Sequence, residues 1–330
     1  SKWLDPSMTY SSAMFESPNQ SLQQAQQVKY KGICDRINAG PSSSILEIGC
    51  GWGGFAEYAA RHRGSKVTCL TISPSQRDYA LARMQREGLS EQVDIRLEDY
   101  RDHVGLYDGV ASIEMFEAVG ESYWPSYFAK IFDSLKQGGK AALQIITIDD
   151  RLFESYRKRV DFIQRYIFPG GMLPGETALK DQFAKAGLRH DGVHYFGQDY
   201  ARTCHEWSRT FNEKWDEIAE LGFDEPFKRM WNFYLSYCEA GFSDGRIKVG
   251  QFEVSKACPV GQARPYPPTF AAKAGVSCGL ARNLSDRTRT GPIMGLCPTS
   301  PPNSSAAWSS SLGTRPLISS ANGSTPSVSA

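Results

Sequence analysis

Four glycines follow Glu47 in the run Glu47-Ile48-Gly49-Cys50-Gly51-Trp52-Gly53-Gly54. Glycines there allow a tight turn and let backbone N–H groups approach a ligand at the carboxyl edge of a sheet. Gly49, Gly51 and Gly54 satisfy the dinucleotide pattern G-x-G-x-x-G. A nicotinamide site also needs an acid about 20 residues on, for the ribose hydroxyls. Leu70-Thr71-Ile72-Ser73 stands at that place and offers no carboxylate, so hydride transfer is the weaker reading. Carboxylates do follow two later apolar runs, as Glu98-Asp99 and as Glu117. Glu117, just past a strand, falls at the edge where α/β sheets bind ligands, although a helix N-terminal charge would also explain it. The eight cysteines are far apart and form no C-x-x-C pair, so neither a metal site nor a redox dithiol is expected. Scattered thiols of this kind suit small buried positions in a reducing, cytoplasmic setting. His190, His194 and His205 belong to no motif and read as surface or satisfied core residues.

These residues need a scaffold, and the first 257 positions supply one. Ser44–Ile48 is a short apolar strand ending in the glycines, and Phe55–Arg63 reads as a helix. Lys66–Ile72 is a second strand, and a helix runs from Pro74 to Glu87 with Gly88 as its stop. Strands follow at 93–97, 108–113 and 140–148, with a helix from Trp124 to Lys136 ended by Gly138-Gly139. Alternation of this kind predicts an α/β fold: a parallel-majority sheet covered by helices on both faces. A formal net charge of +1 gives no whole-molecule attraction to nucleic acid. No apolar run approaches the ~18 residues of a membrane-spanning helix.

The segment Glu47 to Gly53 resembles motif I of class I S-adenosylmethionine-dependent methyltransferases, whose Rossmann-like sheet has seven strands. Six further collinear segments are similar to one branch, the cyclopropane-fatty-acyl-phospholipid synthases. Met8-Thr9-Tyr10-Ser11-Ser12-Ala13 looks like the M-T-Y-S-C-A of that family, and Met115-Phe116-Glu117-Ala118-Val119-Gly120 like its M-F-E-x-V-G. Tyr166 to Pro174 matches Y-I-F-P-x-G-x-L-P, and Phe196 to Tyr200 matches F-G-x-D-Y. Phe227 to Trp231 and Tyr234 to Phe242 continue the match, which covers about Trp3 to Lys256. The resemblance implies transfer of a methylene group from S-adenosylmethionine to the cis double bond of an unsaturated phospholipid acyl chain. It implies a bound bicarbonate as the base, held by Ser12, Glu117, Gln144, the backbone at Ile146, and Tyr200. Tyr10 and Ser11 would touch the methionine end of the cofactor, with Glu47, Gly49, Gly51 and Gly53 behind it. Thr71, Ile72 and Gln76 match ribose-side positions, and Glu98 and Asp99 the adenine side. The stretch 151–246 would be a helical insertion covering the acyl site.

Two positions depart from the best-known bacterial pattern. Ser12 stands for the usual Cys and Gln144 for the usual His. Both still donate hydrogen bonds, but neither carries a charge. A disfavoured deprotonation would leave the cation to end as a methylene or methyl branch, and loss of turnover would leave a lipid-binding relative; these alternatives stay open. Tyr200 also reads as plain core packing, as do the aromatics between Phe153 and Phe168 beside an acyl tunnel. Arg151, Arg157, Lys158, Arg159 and Arg165 form either a basic face for anionic headgroups or a solvated helix face. The expected location is cytoplasmic and peripheral to the membrane, with a homodimer left open. The opening Ser1-Lys2-Trp3-Leu4 resembles the middle of a family member, so upstream pocket-closing residues are expected to be missing. Positions 258–330 hold 13 Ser, 10 Pro and 7 Gly, a composition expected to be disordered. This tail reads as regulatory or as a frame-shifted or mis-spliced translation, and no function attaches to it.

Overall fold

A computed structural model describes residues 1–256; the expectations for 258–330 lie outside the described residues. Helix α1 (Leu22–Arg36) opens with a capping box, Ser21 accepting from the Gln24 N–H while Gln24 reaches back. Then follow β1 (Ser44–Ile48), α2 (Gly54–Arg63), β2 (Lys66–Thr71), α3 (Pro74–Arg86), β3 (Val93–Leu97) and β4 (Tyr107–Ile113). The second half is α4 (Trp124–Ser134), β5 (Leu135–Ile148), α5 (Asp150–Tyr156), α6 (Glu176–Lys185) and β6 (Leu188–Tyr195). It ends with α7 (Gly197–Glu213), α8 (Trp215–Ala219), α9 (Glu225–Ser243) and β7 (Ile247–Lys256). The seven strands form one sheet in the order β3-β2-β1-β4-β5-β7-β6. All pairings are parallel except those of β7, which runs antiparallel to both β5 and β6. This is the expected parallel-majority sheet.

One boundary differs from expectation. α4 stops at Ser134, and Leu135 already pairs with Tyr107 as strand, so Gly138-Gly139 lies inside an irregular β5. Gly138 has φ +74°, and a Cβ on Gly139 would sit 2.9 Å from the Lys136 carbonyl, which is how glycine serves that irregularity. Leu135 is fully buried, and that burial favours the strand over another helical turn.

Each sheet face has its own core. Ile33, Phe55, Ala59 and Ala80 from α1, α2 and α3 cover one, and Phe128, Ile131, Leu179 and Phe183 from α4 and α6 cover the other. A third cluster caps the carboxyl edge: Trp3 meets Trp207 and Trp231 edge-on at 5.7 and 5.4 Å, tying the N-terminal segment to α7 and α9. Within 151–246, β6 pairs along β7 and α6 packs on the sheet, so those two belong to the sheet layers. The residues before α6, together with α7 and α9, stand over the carboxyl edge.

Candidate active site

β4 ends at Ile113, and the next residue, Glu114, takes φ +50°, an uncommon value for a side-chain-bearing residue. Its N–H is held by the Gln144 carbonyl at 2.8 Å on the neighbouring strand. That turn aims a buried carboxylate under the N-terminal segment. Glu114 Oε1 accepts the Ser12 backbone N–H at 2.8 Å and the Gln144 Nε2–H at 2.7 Å. Glu114 Oε2 accepts the Tyr200 hydroxyl at 2.6 Å. Gln144 is itself fixed, because Gln251 on β7 donates to its Oε1 at 3.2 Å. Burial raises the Glu114 pKa above the usual carboxylate range, while the Tyr200 bond, the charge of Lys29 and the bonds from Gln144 and Ser12 act against it.

Glu117 lies one short turn further on. Its Oε1 accepts the Ile146 N–H at 2.6 Å, while its Oε2 is buried with no partner among the described residues. Burial, and then the charge of Glu114, push this carboxyl up to about 8. The three donors to Glu114 favour placing the negative charge of the pair there. Lys29 is fully buried; its Nζ donates to Ser11 Oγ at 2.7 Å. Burial brings its pKa down to about 7 against the pull of Glu114, Asp5 and Glu47.

Two cavities meet here. The larger, about 700 Å³, is mostly apolar, with walls that include Ile146, Tyr156, Phe168, Leu173, Cys204, Tyr234 and Phe242. Its size suits a small-molecule ligand. The smaller is lined by Met8 to Ser11, Glu47, Gly49 to Trp52, Gln76 and Met115. Tyr10 and Glu114 line both. Gly49, Gly51 and Gly53 all have positive φ, as the turn requires. A Cβ on Gly49 would strike Met115 Cγ at 2.6 Å, whereas Gly51 faces open space. Open space against a glycine backbone, beside the Ser11 and Gln76 side chains, fits a cofactor with polar amino-acid and ribose ends. Glu47 is buried, accepts from Cys69 Sγ at 3.5 Å, and is pushed up to about 8 by burial.

The structure therefore brings Ser12, Gln144, Tyr200, Glu117 and Ile146 together, and Tyr10, Ser11, Glu47, Gly49, Gly51 and Gln76 around the smaller cavity. Ser12 takes part through its backbone, since its hydroxyl donates to the Ala13 carbonyl at 3.0 Å. Thr71 reaches the site by donating to Gln76 Oε1 at 2.8 Å. Gly53, at the start of α2, packs against Ala80 instead of facing the cavity. Ile72 is half-exposed, and Glu98 and Asp99 line neither cavity. Glu98 faces the buried His103 at 3.0 Å, and Asp99 is clamped by Arg101. Burial works against Asp99, yet Arg101 holds its carboxyl below the usual range. Sequence reasoning missed Glu114, Lys29 and Gln251. The adjacency of Glu114 to the β4 run was the one available signal.

The donor set does not fit a bicarbonate base. The Ser12 N–H, Gln144 Nε2–H and Tyr200 O–H are all directed at the Glu114 carboxylate. A further anion would sit beside two buried carboxyl groups and lose those donors, a cost that burial magnifies.

A family model described as mycolic acid cyclopropane synthetase matches residues 1–252. A tuberculostearic acid methyltransferase of Mycobacterium tuberculosis is 40% identical over 265 residues, 78% of this chain and 62% of that one. A cyclopropane-fatty-acyl-phospholipid synthase of Escherichia coli K12 is 37% identical over 257 residues, covering 78% and 64%. A crystal structure of a mycolic acid cyclopropane synthase complexed with SAH and CTAB superposes with a TM-score of 0.73 at 26% identity, over 77% of this chain and 92% of that one. The chain spans about three fifths of the length of the curated relatives it matches.

Proposed function

The chain belongs to the mycolic acid cyclopropane synthetase family, and from that premise we propose that it alkylates the cis double bond of an unsaturated phospholipid acyl chain, using S-adenosylmethionine. The favoured product is a cyclopropane fatty acyl chain. The observation that carries this reading is the meeting of a glycine-lined cavity and a larger, mostly apolar one at Glu114 and Tyr10. When bound, S-adenosylmethionine supplies an electrophilic sulfonium methyl. Ser11, Glu47, Gly49, Gly51 and Gln76 would hold it, with Tyr10 over its methionine end. Thr71 would act through Gln76, and Ile72, Glu98 and Asp99 would need to turn towards it.

The apolar cavity would align the acyl chain and keep water from the cation that forms once the double bond is attacked. The Glu114 carboxylate supplies anionic density there, and the stacked Tyr200 and Phe242, 4.2 Å apart, supply ring faces. Tyr10 and Tyr234, whose hydroxyls are 2.8 Å apart, both line the apolar cavity, and Tyr10 lines the glycine-lined one as well. The catalytic domain is residues 1–257.

A membrane-surface location accords with the exposed Tyr166, Phe233 and Tyr237 beside the cavity, and with Arg159 on its wall. Arg165 lies over the exposed Tyr166 ring at 5.6 Å, whereas Arg151 pairs with Asp149, Arg157 with Glu121 and Glu154, and Lys158 with Glu154, so these three add little. Among the described residues no helix is long and apolar enough to cross a membrane.

A methyl- or methylene-branched product remains the second reading, because Ser12 and Gln144 replace the residues of the ring-forming bacterial pattern. The test is incubation with S-adenosylmethionine and cis-unsaturated phospholipid vesicles, followed by mass spectrometry of the acyl methyl esters. A product one CH₂ heavier that resists mild hydrogenation establishes the ring. One of the same mass that takes up hydrogen is a methylene branch; a saturated methyl branch, two hydrogens heavier again, would form only with a hydride donor added to the mixture. No heavier acyl chain, in a protein shown to bind S-adenosylhomocysteine, refutes the proposal.

A further inference from the structure

We infer that the side-chain carboxylate of Glu114 is itself the base of the reaction, a built-in group doing the work of a bound bicarbonate; this rests on the function proposed above. Its placement is the first reason. Glu114 lines both cavities, so it borders the space through which the methyl passes from cofactor to lipid, whereas Glu117 lines only the apolar one. The second reason is the donor set. Three groups from three distant parts of the chain, the Ser12 N–H, the Gln144 amide and the Tyr200 hydroxyl, converge on this one carboxylate at 2.6–2.8 Å. Those are donors to an ionised acceptor, which keep a proton-accepting form available in a buried site. The third is backbone strain: a side-chain-bearing residue held at φ +50° is costly to maintain and is over-determined by its surroundings here.

The step balances without any co-reactant. After methyl transfer the new CH₃ group stands beside a cationic carbon. One of its C–H bonds breaks, the electron pair of that bond closes the three-membered ring, and the proton passes to a Glu114 oxygen. The carboxylate becomes a neutral acid and returns its proton to solvent as product leaves. Glu117 does not take this role: burial and the charge of Glu114 raise its pKa to about 8, which favours its protonated form, and among the described residues its Oε2 has no partner, whereas both Glu114 oxygens accept hydrogen bonds. Burial also raises the Glu114 carboxyl above the ordinary range, which strengthens its oxygen as a proton acceptor.

The test uses the full chain, S-adenosylmethionine and vesicles of dioleoyl phosphatidylglycerol, in buffer stripped of carbon dioxide and again with bicarbonate restored. The wild type is expected to form alkylated lipid at the same rate in both. Glu114→Gln keeps the shape and most of the hydrogen bonds but cannot take the proton, so product formation should fall by about 100-fold or more. Glu114→Gly should be slow without bicarbonate and recover when bicarbonate or formate fills the space, a rescue that a purely structural role would not give. A wild type that stops without bicarbonate and restarts with it overturns the inference, as does a Glu114→Gln protein of near wild-type rate. The wild-type comparison needs no variant, so misfolding of a variant leaves the inference open to refutation. A wild type that alkylates no lipid in either buffer refutes the proposed function itself.

Discussion

Tyr200→Phe removes one oxygen from the base and little else. The hydroxyl donates to Glu114 Oε2 at 2.6 Å, while the ring stacks on Phe242 at 4.2 Å and meets Trp207 edge-on at 6.1 Å. Phenylalanine keeps both ring contacts, so the fold should survive. A hydrogen bond to an ionised group is worth about 1.5–3 kcal/mol. Spent on the charged form of Glu114, that is a factor of roughly 10 to 150 in its protonation equilibrium. The direction follows from which form the donor favours. Tyr200 stabilises the carboxylate and so lowers the Glu114 pKa; removing it raises that pKa further. The base is then protonated at a higher pH, and the acid side of the kcat/KM profile moves upward. On that side the variant should be slower by about tenfold or more, with a smaller loss at higher pH where the carboxylate is restored. Binding of S-adenosylhomocysteine should be unchanged, because Tyr200 lines only the apolar cavity. The assay is S-adenosylhomocysteine release from lipid vesicles across a pH series. A variant slowed by the same factor at every pH would refute the reasoning, since that is the signature of a mis-shaped acyl cavity.

Other perturbations test the surroundings. Gly49→Ala puts a Cβ 2.6 Å from Met115 Cγ at φ +82°, so it should cost about 1–3 kcal/mol in urea unfolding and weaken cofactor binding; wild-type stability would contradict the close packing. Glu47 is pushed up to about 8 by burial, so the folded state holds an extra proton between the usual carboxylate pKa and that value. Its stabilisation is full below that range and is lost as pH rises through about 8. The wild-type urea midpoint should fall over that window and the Glu47→Gln midpoint should fall less; parallel curves would refute it. Lys29→Met removes a buried cation that holds Ser11 Oγ at 2.7 Å and favours ionised Glu114. Weaker S-adenosylhomocysteine binding and an upward shift of the acid limb are expected, and an unchanged profile would sever Lys29 from the base.

The sheet was legible because its signals are local. Apolar runs ending in glycine, Ser73 and Pro74 opening α3, and the stop at Gly88 each lie within a few residues of the element they bound. The place where local reading went wrong, the end of α4, is where a distant partner decided: Leu135 pairs with Tyr107, 28 positions earlier. Gly138-Gly139 had looked like a helix stop, but it serves a bend inside the strand.

The site was legible only as far as family likeness carried it. Ser12, Gln144, Tyr200 and Glu117 were found, yet the residue they surround was passed over, because nothing near Glu114 in sequence reveals its contacts. Its partners lie 102, 30 and 86 residues away. In Glu114-Met115-Phe116-Glu117 the second acid fell in the matched motif, and the first, just past the strand, was given no role. The substitutions that looked like losses also change meaning in three dimensions. A neutral Gln144 presents an amide donor to Glu114 while its carbonyl is held by Gln251, and an ionised carboxylate needs such a donor. Ser12 contributes its N–H, which any residue but proline would supply, so its departure from the pattern costs the site nothing. Gln144 is therefore best understood together with Glu114: one supplies the negative charge and the other a neutral donor that orients it. Replacing Gln144 alone by histidine should then impair the enzyme, because the wild-type amide would be exchanged for a ring whose protonation competes with that of the base.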